Sequence, residues 1–116
     1  MSAAIPDDVL RLMAEKFRVL GEPTRLSIVR ALLTAGEQNV TQLVQATAQP
    51  HANVSKHLKQ LFKAGMLGRR KDGLQVFYTL TDPLIEKLCR LVCDSIVDDV
   101  KTQLRDRKPG KGNSSK

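Results

Sequence analysis

Apolar residues fall in two rhythms along this chain. Between residues 7 and 20, Val9, Leu10, Met13, Phe17 and Leu20 recur at the spacing of one helix face. Pro6 suits the first helical position, Asp7 and Asp8 suit the positive end of the helix dipole, and Gly21 ends the segment. Pro23 opens a second helix, in which Leu26, Val29, Leu32 and Leu33 are expected to face inward and which Gly36 closes. Residues Glu37 to Val40 read as a polar connection. Thr41 is a plausible N-cap for a short helix over 42–47, with Leu43, Val44 and Ala46 on its apolar side. Ala48 and Gln49 form a turn, and Pro50 helps start a fourth helix from His51 to Lys63. Its apolar stripe is Val54, Leu58, Leu61 and Phe62. After Gly65 the rhythm shortens to two. Strands are predicted over about 67–71 and 75–80, joined at Asp72-Gly73, a strong hairpin-turn pair. Asp82-Pro83 starts a fifth helix that reaches about Leu104. Its apolar face is too broad for an ordinary surface helix, so it needs two partners, its own domain and a second copy of the chain.

The opposite face of the fourth helix carries Ala52, Asn53, Ser55, Lys56, Lys59, Gln60 and Lys63. Amides and hydroxyls can read base edges in a major groove, and lysines can meet phosphates. The first strand of the hairpin adds Arg69, Arg70 and Lys71. Helix, turn, basic helix and basic hairpin is the order of a winged helix-turn-helix, a mainly α fold with a small β-hairpin. The candidate DNA contacts are therefore His51, Ala52, Asn53, Ser55, Lys56, His57, Lys59 and Lys63 on the helix, with Arg69, Arg70 and Lys71 on the wing. For His57 a half-buried ring bonded to the backbone is the competing reading. The candidate dimer contacts are Leu84, Leu88, Leu91, Val92, Ile96 and Val100.

Charge sharpens this picture. The 116 residues carry a net charge of +7, and residues 51–80 hold six basic groups against one acidic group. Residues 1–50 are balanced, and 81–100 are acidic. The excess thus falls on the basic helix and hairpin, as phosphate recognition requires, and on the stretch after Leu104. That stretch, residues 105–116, is expected to be a disordered basic tail, leaving 1–104 as one DNA-binding and dimerisation domain. No apolar run approaches the ~18 residues of a membrane span. The first residues, MSAAIPDDV, lack the apolar core of a signal peptide. A reduced, cytoplasmic protein without a membrane role is expected. No Ser/His/Asp set, paired-carboxylate cleft or phosphate-cradling glycine loop points to an enzyme, and no cofactor is implied.

Several stretches resemble the ArsR/SmtB-type bacterial repressors. FRVLGEPTRLSIVRALL is similar to the segment around their second helix, and NVSKHLKQLFKAGMLGRRKDGLQVFYTL to their recognition helix and wing. The resemblance implies a homodimer, joined through its first and last helices, that binds an operator and releases it when an inducer binds. It also marks departures. Metal sensors of the family often carry two cysteines at positions held here by Asn39 and Thr41, neither a soft-metal ligand. The positions of the family's zinc site between paired last helices hold Asp82, Leu84, Ser95 and Asp98, with no imidazole, so no metal is expected there. Pro50, His51, Ala52 and Asn53 replace a common Ser-Gln-Ser-Thr, so a different DNA sequence should be read.

Cys89 and Cys93 lie one helical turn apart and share a face. They are either a thiol or metal sensor or, as buried cysteines usually are, plain packing. The leading expectation is a dimeric repressor with an unidentified inducer. A thiol- or metal-responsive regulator, and a winged-helix module that contacts protein instead of DNA, are the alternatives.

Overall fold

The computed structural model describes residues 4–106. Most of the expected basic tail, 107–116, lies outside the described residues. The chain divides into two compact units, one ending at Asp82 and the other beginning at Pro83. The first holds α1 (Asp7–Leu20), α2 (Pro23–Ala35), β1 (Gln38–Asn39), α3 (Val40–Thr47), α4 (His51–Lys63), β2 (Leu67–Asp72) and β3 (Gln75–Leu80). The second is α5 (Pro83–Asp106), which runs through Arg105 and Asp106, past the expected end at Leu104.

Helices α2, α3 and α4 pack on one another. Ile28 and Val29 from α2, Leu43 from α3, and Val54, Leu58 and Leu61 from α4 are almost wholly buried between them. On α2 the inward stripe is Arg25, Ile28, Val29 and Leu32, spaced i, i+3, i+4, i+7. Leu26 and Leu33, expected inside, flank that stripe and stay exposed. Helix α2 starts as its sequence predicts, with Pro23 in the first turn, and the Glu22 carboxylate adds a cap the sequence did not announce, accepting the Arg25 backbone N–H at 2.8 Å.

The hairpin is one strand short of the observed sheet. Gln38 and Asn39, expected in a connection, pair antiparallel with β3, giving the order β1-β3-β2. Two residues are too few to show an alternating pattern, so the strand left no periodic signal. Asn39 also replaces Thr41 as the cap of α3. Its side chain accepts the Gln42 backbone N–H while the Gln42 side chain accepts the N–H of Asn39, each at 2.8 Å. Two helix-end donors are satisfied reciprocally by that box.

The junction between α4 and β2 aims the wing. The N–H of Met66 bonds the Leu61 carbonyl at 3.1 Å and that of Gly65 bonds Phe62 at 3.0 Å. This paired helix stop needs a left-handed residue, and Gly65 supplies it at φ 77°. Met66, fully buried, anchors the stop. Register then sorts the hairpin: Leu67, Arg69 and Lys71 share a face with Tyr78, while Arg70 and Asp72 share the other with Phe77. Leu67 and Tyr78 are buried, so the Arg70 face is the outer one.

Two apolar surfaces are left uncovered. On α1 only Val19 and Leu20 are buried, whereas Val9, Leu10, Met13 and Phe17 are exposed. On α5, Leu84, Leu91, Val92, Ile96 and Val100 are exposed and Leu88 is half-buried.

Candidate nucleic-acid interface

Helix α4 has two opposed edges. Val54, His57, Leu58 and Leu61 form the buried one. Ala52, Lys56, Lys59 and Lys63, spaced i, i+4, i+7, i+11, form a solvent-facing ridge on the other side. Asn53 and Ser55 lie half-buried on the flanks of that ridge, and His51 is exposed at its amino end. The Asn53 amide donates to the Gln49 side chain at 2.9 Å, tying the helix start to the preceding turn. In that turn Ala48 adopts φ 56°, ψ 32°, the left-handed region, and sets the angle between α3 and α4.

His57 does not belong to the exposed set, which corrects its place among the DNA contacts. It lies on the buried edge because it is i+3 from Val54 and i+4 before Leu61. Its Nδ1 stands 3.0 Å from an Arg25 terminal nitrogen. A guanidinium has only donors, so Nδ1 accepts and a neutral ring carries its proton on Nε2. That nitrogen faces the Glu22 carboxylate at 3.9 Å. Arg25 is itself buried and donates further to the Val19 carbonyl and the Gln60 side chain. One guanidinium therefore joins the end of α1, the start of α2 and two turns of α4. The side-chain partners of Arg25 are thus a carbonyl, an imidazole and an amide inside the protein.

On the wing the two arginines differ. The Arg69 guanidinium lies over the Phe62 ring, 4.1 Å from its centroid. Arg70 lies over Phe77 at 4.9 Å and directs its Nε and Nη2 at the two Glu37 carboxylate oxygens, at 3.0 and 2.7 Å. That pairing holds the Glu37 carboxyl below the usual carboxylate range and raises Arg70. Lys71 is exposed. Sequence reasoning missed Glu37, because nothing in its spacing shows that a residue 33 positions away meets it.

Residues 22–68 match the family described as bacterial regulatory protein, arsR family. An uncharacterized HTH-type transcriptional regulator of Methanocaldococcus jannaschii is 35% identical over 79 residues, covering 68% of this chain and 89% of that protein. The chain belongs to the arsR family of bacterial regulatory proteins. It is also similar to the transcriptional repressor PagR of Bacillus anthracis, 33% identical over 79 residues, 68% of this chain and 79% of PagR. The crystal structure of the AntR antimony-specific transcriptional repressor matches with a TM-score of 0.80 and 25% identity, over 86% of this chain and 90% of that one. The fold is a winged helix-turn-helix, with α3 and α4 as the helix-turn-helix and β2–β3 as the wing, and the protein is a transcriptional regulator rather than an enzyme.

For an arsR-family regulator the sensor positions matter. Asn39 is spent on capping α3 and on a 2.8 Å bond to Gln75. Among the described residues no three His, Cys, Asp or Glu side chains lie together as a metal would need. Cys89 is half-buried and Cys93 exposed on α5. Burial pushes the Cys89 thiol up, with Cys93 adding to it, so Cys89 is protonated at neutral pH. Among the described residues no helix is long and apolar enough to cross a membrane.

Proposed function

We propose that this protein is a homodimeric, cytoplasmic repressor that grips a two-fold double-stranded DNA operator and releases it on binding an inducer. The observation that carries this function is the ridge of α4. A straight line of Ala52, Lys56, Lys59 and Lys63, with its core stripe on the opposite side, is a helix shaped to lie in a groove of DNA. Small Ala52 lets the helix start approach base edges, where Asn53 and Ser55 offer an amide and a hydroxyl and His51 an imidazole. The three lysines meet phosphates, and Arg69, Arg70 and Lys71 add backbone contacts from the wing. His57 acts behind the ridge by fixing α4 to Arg25.

Repression is supported by the relatives, among them PagR and AntR, both named as transcriptional repressors. Self-association is supported by the uncovered apolar faces. Soluble monomers rarely leave such patches in water, and a closed two-fold pair would cover them. On α5 the second copy is proposed to meet Leu84, Leu88, Leu91, Val92, Ile96 and Val100, and on α1 the Val9, Met13 and Phe17 face.

Selection of bound fragments from genomic DNA tests this function. The recovered sequences should share an inverted repeat with half-sites spaced by about one helical turn, roughly 10 base pairs, or a multiple of it. Fragments with no common sequence would contradict sequence-specific repression.

A further inference from the structure

Arg70 presents to Glu37 the same two-pronged edge that an arginine uses on phosphate. The guanidinium is seated on the Phe77 ring, and Asp72 adds a second carboxylate at 3.7 Å. Phe77 is the register partner of both Asn39 on β1 and Arg70 on β2, so the three strands bring the segment that carries Glu37 beside the wing. Arg69, one residue away on the opposite face, rests on Phe62 and has no acidic partner among the described residues. Of the two wing arginines, one is thus ready for phosphate and the other is occupied.

We propose that Glu37 is a built-in competitor of the DNA backbone. Its carboxylate occupies the phosphate-binding edge of Arg70 in the free protein, and a phosphate must displace it when the wing docks. A carboxylate and a phosphate each offer two oxygens to the Nε–Nη2 edge, and that edge has room for one of them. Glu37 thereby restrains sequence-independent affinity at the wing, and this role rests on the DNA-binding function proposed above. The lowered Glu37 carboxyl agrees with it, since the competitor stays charged throughout the physiological pH range.

The test is binding of a labelled mixed-sequence duplex across a salt series, by wild type, Glu37→Gln and Glu37→Ala. Both substitutions should tighten binding roughly two- to fivefold at low salt, the range of an exposed ion pair. The log–log salt slope should stay unchanged, because Arg70 neutralises the same phosphate in the complex once Glu37 is displaced. Repeating Glu37→Gln in an Arg70→Ala background should abolish the gain, and repeating it in Arg69→Ala should preserve it. Weaker or unchanged binding by both Glu37 variants would overturn the proposal, because Glu37 would then be a strut that positions the wing. A gain that survives Arg70→Ala would also overturn it, as a plain effect of net charge. Wild type that binds the duplex without salt dependence would instead refute the DNA-binding function itself, which keeps the two failures apart.

Discussion

Arg25 and His57 decide how firmly the reading helix is held. Three acceptors converge on one buried guanidinium, and removing it leaves the Val19 carbonyl, the Gln60 amide and the His57 ring short of a donor. Arg25→Met should cost roughly 2–4 kcal/mol of stability, by chemical denaturation. Because Arg25 meets no phosphate, the variant should bind DNA more weakly with an unchanged salt slope. A flattened slope would place Arg25 at the backbone instead. The burial of His57 was legible in principle. Val54, His57, Leu58 and Leu61 complete the spacing i, i+3, i+4, i+7, and a basic helix next to a histidine invited the wrong face. The partner of His57 was not legible, since Arg25 lies 32 positions earlier and only packing brings the two together.

At the scale of elements, the five helices and the hairpin follow from periodicity, proline starts and glycine stops. Their boundaries fell within a few residues because these signals are local. The two-residue strand β1 escaped because its evidence lies in its partner, β3, and not in itself. The helix-turn-helix corner carries a backbone cost that the sequence disguised as an ordinary alanine. Ala48 sits at φ 56°, where its Cβ crowds the following carbonyl at about 1–2 kcal/mol. Glycine removes that crowding and gives back somewhat less through the entropy of the unfolded chain. Ala48→Gly should therefore stabilise the protein by roughly 0.5–1 kcal/mol in denaturant titrations. A loss of stability would show that the turn is held by the Ala48 methyl.

For the whole molecule, the uncovered faces of α1 and α5 account for most of the apolar residues that the fold leaves in water. The breadth of the apolar face on α5 was plain in its pattern, whereas an uncovered α1 followed only from the family resemblance. A single stripe there looked fully used by one core. Leu91 and Val92 are 70% and 50% exposed, so a charge at either leaves the described packing intact. Leu91→Glu and Val92→Glu should give folded monomers by light scattering, with affinity reduced to that of a half-site, because two reading heads are no longer held at one spacing. An undisturbed dimer in both variants would move the interface elsewhere.

Charge placement offers the most direct test of function. Six basic groups and one acidic group between residues 51 and 80 predict that binding is largely counterion release. The decisive measurement is the affinity of the unmodified protein for its selected DNA site from low to moderate salt. It should fall steeply, with a log–log slope near −0.9 for each phosphate neutralised, and Lys59→Ala should reduce that slope by about one such step. An affinity that stays flat across the series would contradict a protein that grips DNA through the ridge of α4 and the wing.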